Sequence, residues 1–353
     1  MKSLVMTIRC VDLQPGMVLS RDFIINNVKL LNKDVEISPK LAVKIMSQFP
    51  QEHLQIYRPD NPDNKSIYKE NIASKKVKIE KDFSALSNIA ENIFKEVAKS
   101  DEVEIKDVRK ISEKIMNFED HGLIMKSIVE VRNVDEYTFR HSVNTAVLSV
   151  TLGKWLNLSN NNLKLLCYAG LLHDIGKSKI RPEILNKKGN LNKNEFEEIK
   201  RHSRLGYDLV KKVPFIDTSV SLAVLMHHER EDGSGYPLKL VSNNIHPFAK
   251  IIAIADTFDA MTSNRVYRSK ICPLSVLENI KADSFKQLDP NYCSVFITNM
   301  LNFYIGDNVA LNNGKLGRIV KLNPNNITKP LVSVNDNFYD LSLSTSLCIE
   351  DIL

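Results

Sequence analysis

The sequence predicts a mainly α-helical protein, with a small α/β module ahead of the helices and a small β-domain after them. Three observations carry that expectation. Residues 79–303 place apolar side chains at helical spacing, residues 1–58 alternate in short strand-like runs around one helix, and residues 304–353 return to strand character.

In the first module the runs MTIRC, VLSRDFII, VKLLN and LQIY have strand length and composition. The helix among them is expected to begin at Ser38-Pro39, a capping residue followed by a proline whose missing N–H is no loss in a first turn. Residues 59–78, mostly PDNPDNKSIYKENIASKK, lack periodicity and read as a linker. Beyond them, Phe83, Leu86, Ile89, Ala90, Ile93, Phe94 and Val97 make one apolar stripe. That stripe either packs within its own chain or supports a homodimer through the helices near residues 80–118. Later helices are more apolar still, which implies burial on more than one side. Near the C-terminal end, NNGK is a hairpin turn between NVAL and GRIVKLN.

A chain of 353 residues is long enough for two or three domains with a sizeable core. Its 43% apolar and 25% charged residues are those of a water-soluble globular protein. The formal charge of +6 is mild: it permits an anionic small molecule as substrate and gives no argument for DNA or RNA. Five scattered cysteines form no CxxC pair, so neither a disulfide framework nor a thiolate zinc site is expected. A reducing, cytoplasmic setting fits them. The opening MKSLVMTIRC has too short an apolar run for a signal peptide, and no apolar stretch is long enough to span a bilayer.

The helical section holds seven of the eight histidines, and five of them fall in an ordered series. His141 stands in RHSVNTAVLS, His173-Asp174 in LLHDIGK, His202 in KRHSRLG, His227-His228 in LMHHEREDGSGYP, and Asp256 in IIAIADTFDA. The gaps from His141 to His173, His202, His227 and then from His228 to Asp256 are 32, 29, 25 and 28 positions. Each is about one helix plus a connection, so each motif comes from a different helix, as in metal sites of helix bundles.

Singly, each residue has an ordinary account. His202 and His141 lie on apolar helix faces, where a buried, hydrogen-bonded histidine is common. A salt bridge would serve Asp174 or Asp256, since a carboxylate in an apolar run costs several kcal/mol, of order ~3–5, unless paired or ligated. Taken together, five histidines and two aspartates are better explained by metal. Seven nitrogen and oxygen donors are too many for one tetrahedral zinc, but suit two ions sharing a carboxylate. Such a pair can generate a bridging hydroxide and clamp the oxygens of a phosphoryl displacement. Lys177, Arg265 and Arg268 stand beside the ligand motifs, where cations would neutralise phosphate oxygens.

From Asp135 to Arg268 this order of motifs resembles the HD-GYP family, a branch of the HD phosphohydrolases. The resemblance rests on HDIGK, HHEREDGSGYP and the aspartate ahead of DAMTSNRVYR. It implies an all-helical HD-type core and a metal-dependent phosphodiesterase that opens cyclic di-GMP to pGpG and onward to GMP. It further implies one ion on His141, His173, Asp174 and Asp256, and a second on Asp174, His202, His227 and His228. Asp174 is then the bridge and, with Lys177, catalytic. Lys177, Arg265, Arg268 and Tyr236 would meet the substrate. Iron and manganese are the implied metals, although nickel, cobalt and zinc accept the same donors. Some members hold a third ion through a glutamate four residues before the first histidine; Tyr137 stands there, which favours two.

Three positions depart from the family pattern: Glu231 in place of tryptophan, and Ser203 and Val266 in place of proline. Two other readings stay open. One is a weakly catalytic cyclic di-GMP sensor, or a scaffold whose GYP loop docks a diguanylate cyclase or another protein. The other is a hydrolase of a different cyclic dinucleotide, such as 3′,3′-cGAMP.

Overall fold

A computed structural model describes residues 5–352, apart from 26–27, 32, 34, 38, 58–63, 119–123, 126, 129–136, 188, 264–270, 336 and 345. They fall into two compact units, Met1–Lys76 with Met300–Leu353, and Val77–Asn299.

The N-terminal part of the first unit contains β1 (Val5–Arg9), β2 (Phe23–Ile25), β3 (Val28–Leu31), α1 (Pro39–Gln48) and β4 (His53–Tyr57). The helix starts at Pro39, as the sequence suggests. Strands β1 and β4 pair antiparallel from Val5↔Tyr57 to Arg9↔His53, and β2 pairs with β3. Alternation puts Leu54 and Ile56 of β4 into a core with Leu19 and Ile37, closed by an edge-on contact of Phe23 with Phe49 at 5.9 Å.

Helix α2 (Asn64–Ser100) starts inside the segment read as a linker, so residues 64–78 are helical. Lysine, glutamate and alanine there favour a helix but build no apolar stripe, and periodicity alone does not reveal such a segment. From Phe83 to Val97 the expected stripe is buried, beside Val108, Ile111 and Ile115 of α3 (Ile105–Met116). Ile89 of the stripe is half-buried.

Helices that follow among the described residues position the site. In α4 (Tyr137–Trp155) residues 141–152 are buried on every side. Helix α5 (Asn160–Leu172) is capped by Ser159 Oγ, which accepts the Asn162 N–H at 3.3 Å. The two helices touch backbone to side: a Cβ on Gly170 would lie 2.8 Å from Ala146 Cα. A single turn at Pro182–Leu185 leads to α6 (Lys193–Lys200), opened by a capping box between Asn192 and Glu195. Then follow α7 (His202–Val210), α8 (Thr218–Met226), capped by Asp217, and α9 (Pro247–Thr262), with proline in its first turn. Helices α10 (Pro273–Asp283) and α11 (Pro290–Tyr304) complete the series. Helix α9 packs on α4, α8 and α10 and buries Ile251, Ile252, Ile254 and Phe258. Burying each of these stabilises the fold by about 1.5–3 kcal/mol.

The C-terminal part of the first unit is an antiparallel sheet of β5 (Asn308–Leu311), β6 (Leu316–Lys321), β7 (Leu331–Val334), β8 (Asn337–Asp340) and β9 (Ile349–Ile352), in the order β8-β7-β6-β5-β9. The NNGK turn joins β5 to β6, and Gly314 takes the left-handed φ of 76° that it requires. No helix among the described residues is long and apolar enough to cross a membrane.

Candidate metal centre

Five of the seven expected ligands lie at helix ends. His173-Asp174 follow α5, His202 opens α7 just after α6, and His227-His228 follow α8; His141 and Asp256 project from within α4 and α9. Three rings are held alike: Nδ1 of His173, His202 and His227 lies 2.8, 2.7 and 2.7 Å from the carbonyls of Gly170, Ile199 and Val224, each three residues earlier. These carbonyls belong to last helical turns, where i→i+4 partners run out. A carbonyl can only accept, so Nδ1 carries the proton and, in the neutral ring, Nε2 presents a bare lone pair to the interior.

Those lone pairs converge. His202 Nε2 is 3.2 Å from His227 Nε2 and 3.3 Å from Asp174 Oδ1. The other oxygen, Asp174 Oδ2, is 3.3 Å from His173 Nε2 and 3.7 Å from His141 Nε2, which lies 3.1 Å from Asp256 Oδ1. The donor atoms form two sets, a first of His141, His173 and Asp256 and a second of Asp174, His202, His227 and His228; within each, all lie within 4.8 Å of one another. The two oxygens of Asp174 face one set each.

This donor set fits divalent cations. His173 Nε2 and Asp174 Oδ1 are buried without a hydrogen bond, and the facing acceptors of His202 and His227 gain nothing from each other. A cation between them satisfies all at once. Nitrogen and carboxylate donors without thiolate suit first-row transition ions.

The electrostatics agree. Burial acts to raise the Asp174 carboxyl, but Lys177 and the rings of His173 and His202 hold it well below the usual carboxylate range. Burial drives His202 down to about 4, and burial with neighbouring imidazoles drives His227 and His228 well below the ordinary histidine value. These rings stay neutral, as ligands must. His141 is the exception: burial opposes its charge, yet Asp256 and Asp259 outweigh it and raise the ring to about 9. Its proton occupies the direction a cation would take between Nε2 and Asp256.

A pH prediction follows for chelator-treated protein. The depressed value of His202, with those of His227 and His228, means that the unfolded chain takes up protons first as pH falls through 6.5. Stability is then lost between pH 6.5 and about 4. His141 runs the other way, its contribution complete below 6.5 and fading as pH rises toward 9. Melting temperature should therefore fall from pH 6.5 to 5, above the carboxylate range, and fall less in His202→Gln. A flat profile in the unaltered protein contradicts this.

Lys177 reaches the site directly, its Nζ 2.5 Å from Asp174 Oδ2 and its side chain 29% exposed. Tyr236 lies against the second set, its ring 4.6 Å from that of His228 and tilted by 30°. It is half-buried, and burial pushes its hydroxyl pKa up. The loop carrying it is fixed from beneath by Glu229, 3% exposed, whose two oxygens accept the N–H groups of Leu238 at 2.6 Å and Leu240 at 2.9 Å. Gly235 is required there, since a Cβ would lie 2.5 Å from the carbonyl oxygen of His228 and the nitrogen of Arg230. Glu231 meets Lys250 at 3.0 Å, which also contacts Asp289 at 3.2 Å. Ser203 Oγ is 3.4 Å from His202 Nε2. Arg265, Val266 and Arg268 lie outside the described residues.

One residue of the site, Asp259, stands outside the expected ligand series. Asp259, fully buried, accepts from His141 Nδ1 at 2.6 Å and from Asn144 Nδ2 at 2.8 Å. The signal was available: Asp259 stands three positions after Asp256, on the same face of an apolar helix. With both oxygens engaged, Asp259→Asn must turn an NH₂ toward a donor and let the His141 ring swing. Mn²⁺ affinity is expected to weaken about 10–100-fold, as for other partners of metal-bound histidine. An unchanged Mn²⁺ activation midpoint would show that Asp259 does not orient the ring.

A helical domain that gathers histidines and aspartates around a two-set centre defines the class of the protein. Residues 125–292 match the HD domain family. Within that class the chain has a motif series similar to that of the HD-GYP family. It is 32% identical over 214 residues to a cyclic di-GMP phosphodiesterase of Pseudomonas aeruginosa, covering 61% of this chain and 51% of that one. It is 36% identical over 184 residues to 3′3′-cGAMP-specific phosphodiesterase 1 of Vibrio cholerae, covering 52% of this chain and 42% of that one. The chain thus spans about half the length of these curated relatives. Among solved structures, the HDG"Y"P protein Bd1817 of Bdellovibrio bacteriovorus shares the fold, with a TM-score of 0.53 at 15% identity over 84% of this chain and 99% of that one.

Proposed function

We propose that this protein is a metal-dependent phosphodiesterase that hydrolyses cyclic di-GMP to pGpG, to GMP, or to both in succession. The observation that carries the reading is the placement of the two Asp174 oxygens, one toward each set of donors. His141, His173, Asp174 and Asp256 would hold one ion, and Asp174, His202, His227 and His228 the other, iron or manganese being the metals that the motif series implies. When bound, the ions supply Lewis acidity and an activated water for in-line attack at phosphorus.

The chain's own groups do the remainder. Backbone carbonyls lock three imidazole rings with Nε2 inward, so no reorientation is needed as charge develops. Lys177 adds a cation beside the bridging carboxylate, where it neutralises a phosphate oxygen of the substrate. Tyr236, packed on His228, offers a ring face to the substrate, and Arg265 and Arg268 add further phosphate contacts. The deciding test is chromatography of products from cyclic di-GMP with anaerobically purified, metal-analysed protein. Product formation that tracks metal content supports the reading; metal-loaded protein that leaves cyclic di-GMP intact overturns it.

A second substrate is favoured by one finding, the similarity to a 3′3′-cGAMP-specific enzyme. Both dinucleotides share the phosphodiester ring and differ in one base, so a competition assay separates the two readings. The exposed Leu238 and Val241 at the rim of the GYP loop are the positions for docking a diguanylate cyclase or another partner.

A further inference from the structure

Helix α2 grips both segments that lead to the first set of donors. At Glu80, its two carboxylate oxygens accept from Arg140 Nη1 at 3.0 Å and Nη2 at 3.1 Å. Arg140, 11% exposed, immediately precedes His141, and its guanidinium lies 4.5 Å over the ring of the fully buried Phe83. Three to four turns further along, Phe94 meets Phe139 edge-on at 5.5 Å. At the C-terminal turn of α2, Lys179 donates to the carbonyl of Ala98 at 3.1 Å and pairs with Asp101. Lys179 ends the short 3₁₀ turn Ile175–Lys179, which directly follows His173 and Asp174.

From these contacts we infer that residues 77–100 of α2 position the metal ligands. Glu80, through Arg140, fixes where α4 delivers His141, and the last turn of α2, through Lys179, fixes the turn behind Asp174. Apolar contacts such as Phe94 on Phe139 tolerate sliding, whereas a two-pronged guanidinium–carboxylate pair admits one register. A slide of one residue along a helix is about 1.5 Å, and ligand positions must be held to about 0.5 Å. Glu80 and Lys179 are thus positioning residues. The inference rests on the metal-site reading above, not on the identity of the substrate.

The same helix supplies a control. Asp82 Oδ1 pairs with Lys114 Nζ of α3 at 3.1 Å, an ion pair of similar kind that leads to no ligand. The test is a Co²⁺ titration of the full chain after chelator treatment, followed by visible absorption, with thermal unfolding recorded alongside. Glu80→Gln and Lys179→Met are expected to weaken Co²⁺ binding about tenfold, the low end for outer partners of metal ligands. Asp82→Asn is expected to bind Co²⁺ like the unaltered chain. Wild-type binding in Glu80→Gln, or equal weakening in Asp82→Asn, overturns the inference even if melting temperatures fall. Because no substrate is present, a failure to hydrolyse cyclic di-GMP leaves the outcome intact. No Co²⁺ binding by the unaltered chain would sink the metal-site reading and the positioning role with it.

Discussion

Asp174→Ala should lower turnover of cyclic di-GMP by about three orders of magnitude or more, at any metal concentration. The size follows from what one carboxylate does here. Its Oδ1 faces His202 and its Oδ2 faces His173, His141 and Lys177, so alanine removes an anionic donor from both sets together. Losing a single donor to developing charge typically costs about 10²–10³ in rate, and Asp174 also sets the spacing of the centre. Asp174→Asn separates charge from shape: the amide keeps the volume but presents NH₂ to one set. It is expected to retain the fold and lose activity nearly as far. Metal analysis of both variants completes the experiment. Wild-type turnover by Asp174→Ala under metal-controlled conditions would rule out a shared-carboxylate mechanism.

Gly176→Ala, two residues on, should damage the protein differently. A Cβ at that position would collide with the His202 carbonyl and come within 2.5 Å of the Gly206 amide nitrogen, both main-chain atoms of α7. Side chains can rotate aside; a helix backbone cannot, so the turn after Asp174 and α7 must separate. Overpacking of this kind costs about 1–3 kcal/mol and occasionally more. For a unit of this size each kcal/mol corresponds to about 2–4 °C in melting temperature, so a loss of roughly 5–10 °C is expected. The separation would also draw Asp174 from His202, lowering metal content below that of Gly206→Ala, whose new Cβ would meet a side-chain methyl of Val224 at 2.9 Å and a backbone atom only at 3.3 Å. A Gly176→Ala protein with unaltered melting temperature and metal content contradicts the close approach.

What could be read in the sequence was what breaks a local rule. His173-Asp174 after LKLLCYAGLL and Asp256 within IIAIA are polar exceptions in buried runs, and each lies in one of the two groups that could hold an ion. The strands and helix of the first module were legible because alternation and a first-turn proline are local signals. Residues 64–78 were not, because a helical segment rich in lysine and glutamate has no apolar face for periodicity to find. The tie between Glu80 and Arg140 was equally hidden: 60 positions separate them, and only packing of α2 on α4 brings them together. Gly176 and Gly206 belong to the same category, since a backbone contact between distant segments leaves no mark on either alone. Asp259 is intermediate, within reach had the second carboxylate of ADTFDA been weighed with the first.

The clasp of Glu229 on the backbone of Leu238 and Leu240 has a consequence for how this protein can change. Because the loop is tethered through its main chain, the side chains on its outer rim carry no part of the restraint. Leu238, Lys239 and Val241 can therefore be exchanged, by drift or by design, while the histidines beneath keep their geometry. Surface novelty and chemical constancy are separated by one buried carboxylate.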